Sequence, residues 1–271
     1  MTHTRTELLA LLESHGLKPS RALGQNFVVD PNTVRRIARL ADVGPGDVVL
    51  EIGAGLGSLT LALVETGADV QAMEADRFLI EPLRSVVEPH GATVHHANAL
   101  EANYGELLGG REAVVVANLP YNVATPLVLQ ILETQPLIRR MLVMVQKEVG
   151  ERFAAQAGDD AYGAASLRLQ YFADATVVGK VSPTVFYPRP NVDSALVSIV
   201  RRDEVRIDPN VVSESALFEV IRTSFGQRRK MLRRSLAAWA SDGVFERAGI
   251  EPTRRPEELT LEEFARLASA R

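Results

Sequence analysis

Five short apolar runs, Val48 to Ile52, Val70 to Met73, Thr93 to His95, Ala113 to Ala117 and Met141 to Val145, recur along the chain with intervals long enough for a crossover helix. That rhythm calls for a mainly parallel sheet, because parallel neighbours cannot be joined by a tight hairpin. Ala113-Val114-Val115-Val116-Ala117 is apolar at consecutive positions. Such a strand is covered on both faces, and it is expected at the centre. Two more runs, Thr176 to Val181 and Ser194 to Val200, are joined by a Pro-rich connection too short for a crossover, so they should pair antiparallel at one edge. Ahead of the sheet, Leu8, Leu9, Leu11 and Leu12 repeat at helical spacing from Thr4 to His15, and Asp30-Pro31 opens a second helix through Val34, Ile37 and Leu40.

Beyond Arg201 the periodicity is helical only, in Glu214 to Phe225, Arg228 to Ala240 and Leu261 to Ala268. A chain of 271 residues also exceeds the size at which single cores stop growing. The expectation is therefore an α/β domain over residues 1–202 followed by a smaller all-helical domain over 203–271. No Cys is present, which excludes a disulfide framework, thiolate catalysis and Cys-ligated metal centres. The N-terminus carries Glu7 and Glu13 and lacks a basic-then-apolar leader, and no apolar run approaches bilayer length. A cytoplasmic protein with no membrane partner is expected. The net charge of −4 conceals an asymmetry: residues 201–271 hold 14 Lys/Arg against 12 Asp/Glu, whereas residues 1–200 hold 16 against 22. Arg228, Arg229, Lys230, Arg233 and Arg234 concentrate the positive charge, and nucleic acid enters as a candidate partner.

The first run ends Leu50-Glu51-Ile52 and leads into Gly53-Ala54-Gly55-Leu56-Gly57. Positions without side chains let a ligand approach the backbone at the carboxyl edge of a sheet, where nucleotide-like cofactors bind. A dinucleotide fingerprint wants its third Gly where Ser58 stands, which weakens that reading. Glu51 is a carboxylate in an apolar strand end, costly unless hydrogen-bonded or set against a polar ligand. Its alternative is a solvent-facing acid. Glu74 follows the second run and sits where a carboxylate accepts ribose hydroxyls, in NAD-type and S-adenosylmethionine-type sites alike. Asn98 holds the next edge position, where an amide oxygen can accept from an adenine amino group.

After the central run comes Asn118-Leu119-Pro120-Tyr121. Pro120 fixes its own backbone angle and biases Leu119 toward an extended shape, so the carbonyls are held in place. An adenine amino nitrogen is a poor nucleophile because its lone pair is delocalised into the ring. Acceptors from Asn118 and the adjacent main chain can draw on its N–H bonds and favour a tetrahedral nitrogen, while Tyr121 offers a stacking face. With a sulfonium methyl donor no strong base is required, so catalysis is mainly orientation and charge compensation.

With these pieces the chain resembles the rRNA adenine N6,N6-dimethyltransferases of the small-subunit branch, over nearly its whole length. Leu23-Gly24-Gln25-Asn26-Phe27 is similar to the family's N-terminal cofactor-closing motif, and Gln146-Lys147-Glu148-Val149 to its segment after the fifth strand. Phe186-Tyr187-Pro188-Arg189-Pro190-Asn191-Val192-Asp193-Ser194 is similar to its Phe-x-Pro-x-Pro-x-Val-x-Ser motif. Phe225-Gly226-Gln227-Arg228-Arg229-Lys230 and Arg255-Pro256-Glu257-Glu258-Leu259 match in the tail.

The resemblance implies a Rossmann-like class I S-adenosylmethionine methyltransferase fold. It implies a monomer that moves methyl groups from S-adenosyl-L-methionine, leaving S-adenosyl-L-homocysteine and needing no metal. The targets would be two adjacent adenosines in the 3′-terminal helix of 16S rRNA, within the small ribosomal subunit precursor. It places Asn26, the backbone of Val28, Gly53 and Glu74 on the cofactor, together with Gln25, Glu51, Gly55 and Asn118. Asn98 stands at the cofactor's adenine, where the family has Asp, so somewhat weaker binding is expected. Asn118 meets the reacting amine within the catalytic set Asn118, Leu119, Pro120 and Tyr121, and Phe186 covers the target base opposite Tyr121. Arg222, Arg229 and Arg233, with Arg228, Lys230 and Arg234 in adjoining positions, are expected to line a helical face that docks on RNA. Two other readings stay open: an NAD-linked oxidoreductase of the same fold, and an assembly checkpoint or RNA-binding factor with little catalysis. Methylation of large-subunit rRNA is a sister possibility that the tail disfavours.

Overall fold

The computed structural model describes residues 2–20, 23–240 and 242–271. Its strands are β1 (Phe27–Val28), β2 (Val48–Ile52), β3 (Asp69–Glu74), β4 (Thr93–His96), β5 (Ala113–Asn118), β6 (Ile138–Gln146), β7 (Ala173–Val181), β8 (Phe186–Tyr187) and β9 (Ser194–Arg201). The first six helices are α1 (Arg5–Ser14), α2 (Pro31–Ala41), α3 (Ser58–Val64), α4 (Arg77–Val87), α5 (Tyr104–Leu107) and α6 (Ala124–Thr134). They are followed by α7 (Lys147–Ala154), α8 (Ala164–Phe172), α9 (Glu214–Phe225), α10 (Leu232–Ser235), α11 (Asp242–Ala248) and α12 (Leu261–Ser269).

Seven strands form one sheet in the order β4-β3-β2-β5-β6-β9-β7, and β1 pairs antiparallel with β8 in a separate ladder. The five strands from β4 to β6 are parallel, while β9 runs antiparallel to β6 from Arg140 opposite Val200 to Gln146 opposite Ser194. β5 is the middle strand, buried from Ala113 through Ala117. The expected parallel sheet and its central strand are present, and the two late strands, β7 and β9, are neighbours at one edge. Local signals place the helix starts. Thr4 and Glu7 form a reciprocal capping box at α1, and the Asp30 carboxylate accepts the Thr33 N–H at 2.8 Å ahead of Pro31.

The chain divides into two compact units, Met1–Gly150 with Thr176–Val200, and Glu151–Ala175 with Arg201–Arg271. The expected division at residue 202 therefore misses one exchange, the grouping of 151–175 with the C-terminal helices. The reason is aromatic packing between segments far apart in sequence. Tyr162 meets Phe225 edge-on and Phe225 meets Phe264, while Tyr171 and Phe172 pack on Phe218. The Tyr162 hydroxyl donates to the Leu259 carbonyl at 3.0 Å, so even its polar end is satisfied inside this unit.

The helix expected over Arg228 to Ala240 does not form as one element. α9 ends at Phe225 with Gly226 as its C-cap, turns follow, and only Leu232–Ser235 is α-helical. Two backbone donors explain the break: Leu232 N–H goes to the Arg254 carbonyl at 2.8 Å and Arg233 N–H to Pro252 at 3.0 Å. These groups are spent on a neighbouring loop rather than on the preceding turn, so a helical ladder cannot run through them.

Candidate active site

β2 ends at Ile52, and the loop beyond it turns on three left-handed glycines, Gly53 (φ 77°), Gly55 (φ 61°) and Gly57 (φ 85°). Side chains would strain all three. The N–H groups of Gly53 and Ala54 reach the Met73 carbonyl at 2.9 and 3.1 Å, which ties the loop to the end of β3. A Cβ on Gly55 would lie 3.0 Å from the Phe27 ring, so β1 also closes against this loop. The result is the floor of a cleft of about 440 Å³ at the carboxyl edge of the sheet. That is where open α/β sheets bind their ligands.

Two acids from adjacent strands line this cleft. Glu51 is 2% exposed, and its Oε2 has no hydrogen-bond partner among the described residues. Burial pushes its carboxyl up to about 8; the Thr60 hydroxyl opposes the rise and the charge of Glu74 adds to it. The Thr60 contribution is one of proximity, because the Thr60 hydroxyl is itself without a hydrogen-bond partner among the described residues. Glu74 is held differently. Its Oε2 accepts the Gly55 N–H at 2.8 Å, and its Oε1 accepts those of Ala75 and Asp76, both at 2.9 Å. Burial still raises its pKa, with the three N–H groups opposing.

The opposite rim is built by the 23–28 segment and the tetrapeptide after β5. Gln25 donates to the Asp76 carboxylate at 2.8 Å and accepts the Ser20 N–H at 2.7 Å, which pins the segment across the cleft mouth. Gly24, at φ 64°, passes so near the tetrapeptide that a Cβ would lie 3.0 Å from Pro120 Cβ. Asn118 Nδ2 donates to the Asn26 carbonyl at 2.9 Å. With its donor end fixed, the amide keeps its oxygen as an acceptor. The Pro120 carbonyl accepts the N–H groups of Val123 and Ala124, starting α6, while the Leu119 carbonyl takes no N–H donor among the described residues. Tyr121 is half-buried, its hydroxyl 3.2 Å from Ser194 Oγ, and burial raises its pKa.

The sequence profile of the ribosomal RNA adenine dimethylases matches residues 16–270. The chain belongs to the ribosomal RNA adenine dimethylase family. Ribosomal RNA small subunit methyltransferase A of Thermobifida fusca is 44% identical over 99% of this chain and 96% of its own length. The protein of that name from Streptomyces coelicolor is 46% identical over 97% and 93%. Among solved structures, a dimethyladenosine transferase from Plasmodium falciparum superposes with a TM-score of 0.74 at 23% identity, covering 88% of this chain and 94% of that one. The 23S rRNA methyltransferase ErmE gives 0.71 at 24% identity, covering 90% and 98%. The class I methyltransferase fold is thus shared across the group.

Within this dimethylase, most site residues expected from sequence converge on one cleft: Gln25, Asn26, Val28, Glu51, Gly53, Gly55, Glu74, Asn98, Asn118, Leu119, Pro120 and Tyr121 all line it. Asn98 is exposed at its edge, and its Oδ1 accepts the Leu100 N–H at 3.2 Å, closing a turn. Phe186 is a correction. Its ring is 3% exposed, it stands opposite Val28 in the β1–β8 ladder, and it packs in the hydrophobic core rather than lining the cleft. The common helical face expected for the basic residues is corrected as well. Arg222 lies on α9, Arg228, Arg229 and Lys230 on the following turn, and Arg233 and Arg234 on α10. Arg228 is engaged inside its own unit, donating to the Asp160 carbonyl at 2.7 Å and lying 3.8 Å from Glu257.

Sequence reasoning missed the supports. Leu8 of α1 lines the cleft, and the His3 ring meets the Leu56 carbonyl at 3.1 Å, so the N-terminal helix braces the glycine loop. Asp76 anchors Gln25 and Ser194 holds Tyr121. Ser194 had a signal, since it ends the Phe186–Ser194 motif, whereas α1 had only its amphipathic pattern.

Proposed function

We propose that this chain dimethylates adenine at N6 in small-subunit (16S) rRNA, at two adjacent adenosines of its 3′-terminal helix, with S-adenosyl-L-methionine as methyl donor. The observation that carries the reading is the fixed Asn118 amide at the mouth of a glycine-floored cleft, its Nδ2 tied to Asn26. The identity of about 45% with proteins named for the small subunit favours that rRNA.

The residues present fit the cofactor. Glu51 presents a buried oxygen without a partner among the described residues, suited to a positively charged ligand group, and Glu74 Oε2, which accepts only the Gly55 N–H, keeps a lone pair for a ribose hydroxyl. Asn98 offers an amide oxygen to an adenine amine, and the left-handed glycines let a ligand lie on the backbone. Bound there, S-adenosyl-L-methionine supplies an electrophilic methyl group on sulfur whose leaving group is a neutral thioether.

The chain's own part is orientation. The Asn118 amide oxygen and the Leu119 carbonyl accept the two N–H bonds of the target amine and turn its lone pair out of conjugation with the ring, and one of these protons passes to solvent once the nitrogen carries the methyl group. Pro120 holds the Leu119 backbone extended and Tyr121 gives the base a face to stack on. A base taken out of its stack loses a few kcal/mol, part of which such contacts return. The Arg222, Arg229, Lys230, Arg233 and Arg234 cations are exposed, and they supply phosphate contacts that position the RNA without reading it. A cytoplasmic monomer acting on the subunit precursor follows from this reading; among the described residues no helix is long and apolar enough to cross a membrane.

The test incubates the protein and labelled cofactor with small subunits lacking the modification and maps the product by mass spectrometry. Asn118→Ala should bind S-adenosyl-L-homocysteine as the wild type does while losing turnover at least about a hundredfold, the scale of removing one preorganised polar contact. Label on any other base, or an active Asn118→Ala protein, would overturn the assignment.

A further inference from the structure

The helix α2 has two faces with different work to do. Val34 and Ile37 are buried and form part of the cleft wall, while Arg35 and Arg39, one turn apart, are exposed on the outside and Arg36 lies between. Arg36 is not loose. Its Nη1 donates to the Lys180 carbonyl of β7 at 3.1 Å, and a Cβ on Gly179 would fall 2.2 Å from its Nη2. The missing side chain at 179 is what gives the guanidinium room to lie across the strand. Lys180 is itself exposed.

Four arginines elsewhere in the unit have carboxylates beside them. Arg84 lies beside Glu81 and Glu88, Arg111 beside Asp69, Arg139 beside Glu112 and Arg140 beside Asp42. Arg35, Arg39 and Lys180 have no carboxylate partner among the described residues. The 11 residues of α2 include no acid, and the two acids that flank it are already occupied: Asp30 caps the helix through Thr33, and Asp42 faces Arg140. Unit-wide the balance is negative, with 14 Lys/Arg against 18 Asp/Glu in residues 1–150 and 176–200. A cationic strip without carboxylate partners among the described residues, on the outer side of the wall that encloses the site, is open to an external anion.

We propose that Arg35, Arg39 and Lys180, with Arg36 held between them, form a docking strip for the phosphate backbone of RNA flanking the target adenine. The proposal rests on the RNA-methylating reading of the cleft. A helix is about 10–12 Å across with its side chains, so an RNA strand whose base enters the inner side of this wall has neighbouring phosphates within reach of the outer side. These contacts position the strand and carry no sequence information.

Binding of the full-length protein to unmethylated small subunits is measured from 50 to 200 mM salt, beside methyl transfer and the thermal shift given by S-adenosyl-L-homocysteine. Arg35→Gln with Arg39→Gln should make the slope of log affinity against log salt shallower by about 1.4–1.8, at about 0.7–0.9 for each phosphate that is no longer neutralised. The wild-type advantage then shrinks about tenfold across that range. The thermal shift should stay, because the Val34 and Ile37 face is untouched. Arg35→Lys with Arg39→Lys should keep the wild-type slope, which separates the removal of charge from altered folding. Arg84→Gln, at a cation already beside two acids, should change it little.

An unchanged slope in the double Gln variant, or an equal loss in Arg84→Gln, would overturn the proposal while wild-type methylation still upholds the function. A wild type that neither binds nor methylates small subunits defeats the function itself, and the strip with it.

Discussion

Replacing Glu51 by Gln tests the electrostatics beneath the glycine loop. The carboxyl stands at about 8 in the folded chain against 4.5 for an ordinary Glu, with burial as the main cause. Between those values the folded protein keeps a proton that the unfolded chain has released, so raising the pH costs stability across the window. Each tenfold difference in proton affinity between the two states is worth about 1.36 kcal/mol, so the penalty is roughly 2 kcal/mol at pH 6 and roughly 4 kcal/mol at pH 8. Gln cannot ionise and escapes this penalty, whereas Glu74 remains in both proteins and largely cancels in the comparison. The Tm of wild type minus that of Glu51→Gln should therefore fall by roughly 4–9 °C from pH 6 to pH 8, at about 2–4 °C per kcal/mol for a chain near this size. Scanning calorimetry in matched buffers reads the difference directly. Parallel Tm profiles for the two proteins over that interval would show that Glu51 is ionised in the fold, and the account of its burial would be wrong.

Two further substitutions probe the cleft. Asn98→Asp should tighten S-adenosyl-L-homocysteine binding about fivefold by calorimetry, because a charged acceptor adds about 1 kcal/mol over an amide; unchanged or weaker binding would remove Asn98 from the adenine contact. Gly57→Ala should destabilise by about 2–5 kcal/mol in urea unfolding, combining a left-handed backbone with overpacking, since the new Cβ would lie 2.5 Å from Val87 Cγ1. A loss below about 1 kcal/mol would show that α3 and α4 have slack at this point.

Much of the fold was legible because strand burial leaves a one-dimensional trace. Val48–Leu50 and Ala113–Ala117 are apolar without alternation, and both are buried throughout. Asp30-Pro31 and Thr4 with Glu7 announced their helices through short-range capping, which involves only neighbours in the chain. The glycine loop, Glu51, Glu74 and Asn118 were found for the same reason: each sits at a strand end, and the carboxyl edge of a parallel sheet gathers such ends.

What escaped depends on partners distant in sequence. The basic segment after Gly226 carried a helical pattern, yet Leu232 and Arg233 give their N–H groups to Arg254 and Pro252, and no local rule reveals those acceptors. Phe186 bears a motif position but is buried among core residues that come from distant parts of the chain. Residues 151–175 join the second unit through contacts of Tyr162 and Tyr171 with rings more than forty positions away. The amino-acid order alone determined the sheet, its edge and the chemistry gathered there, since periodicity and strand ends are local. Tertiary structure alone decided which aromatic ring faces the cleft, where the basic helix breaks and which arginines lack a carboxylate among the described residues, because hydrogen bonds and ion pairs are settled by neighbours in space.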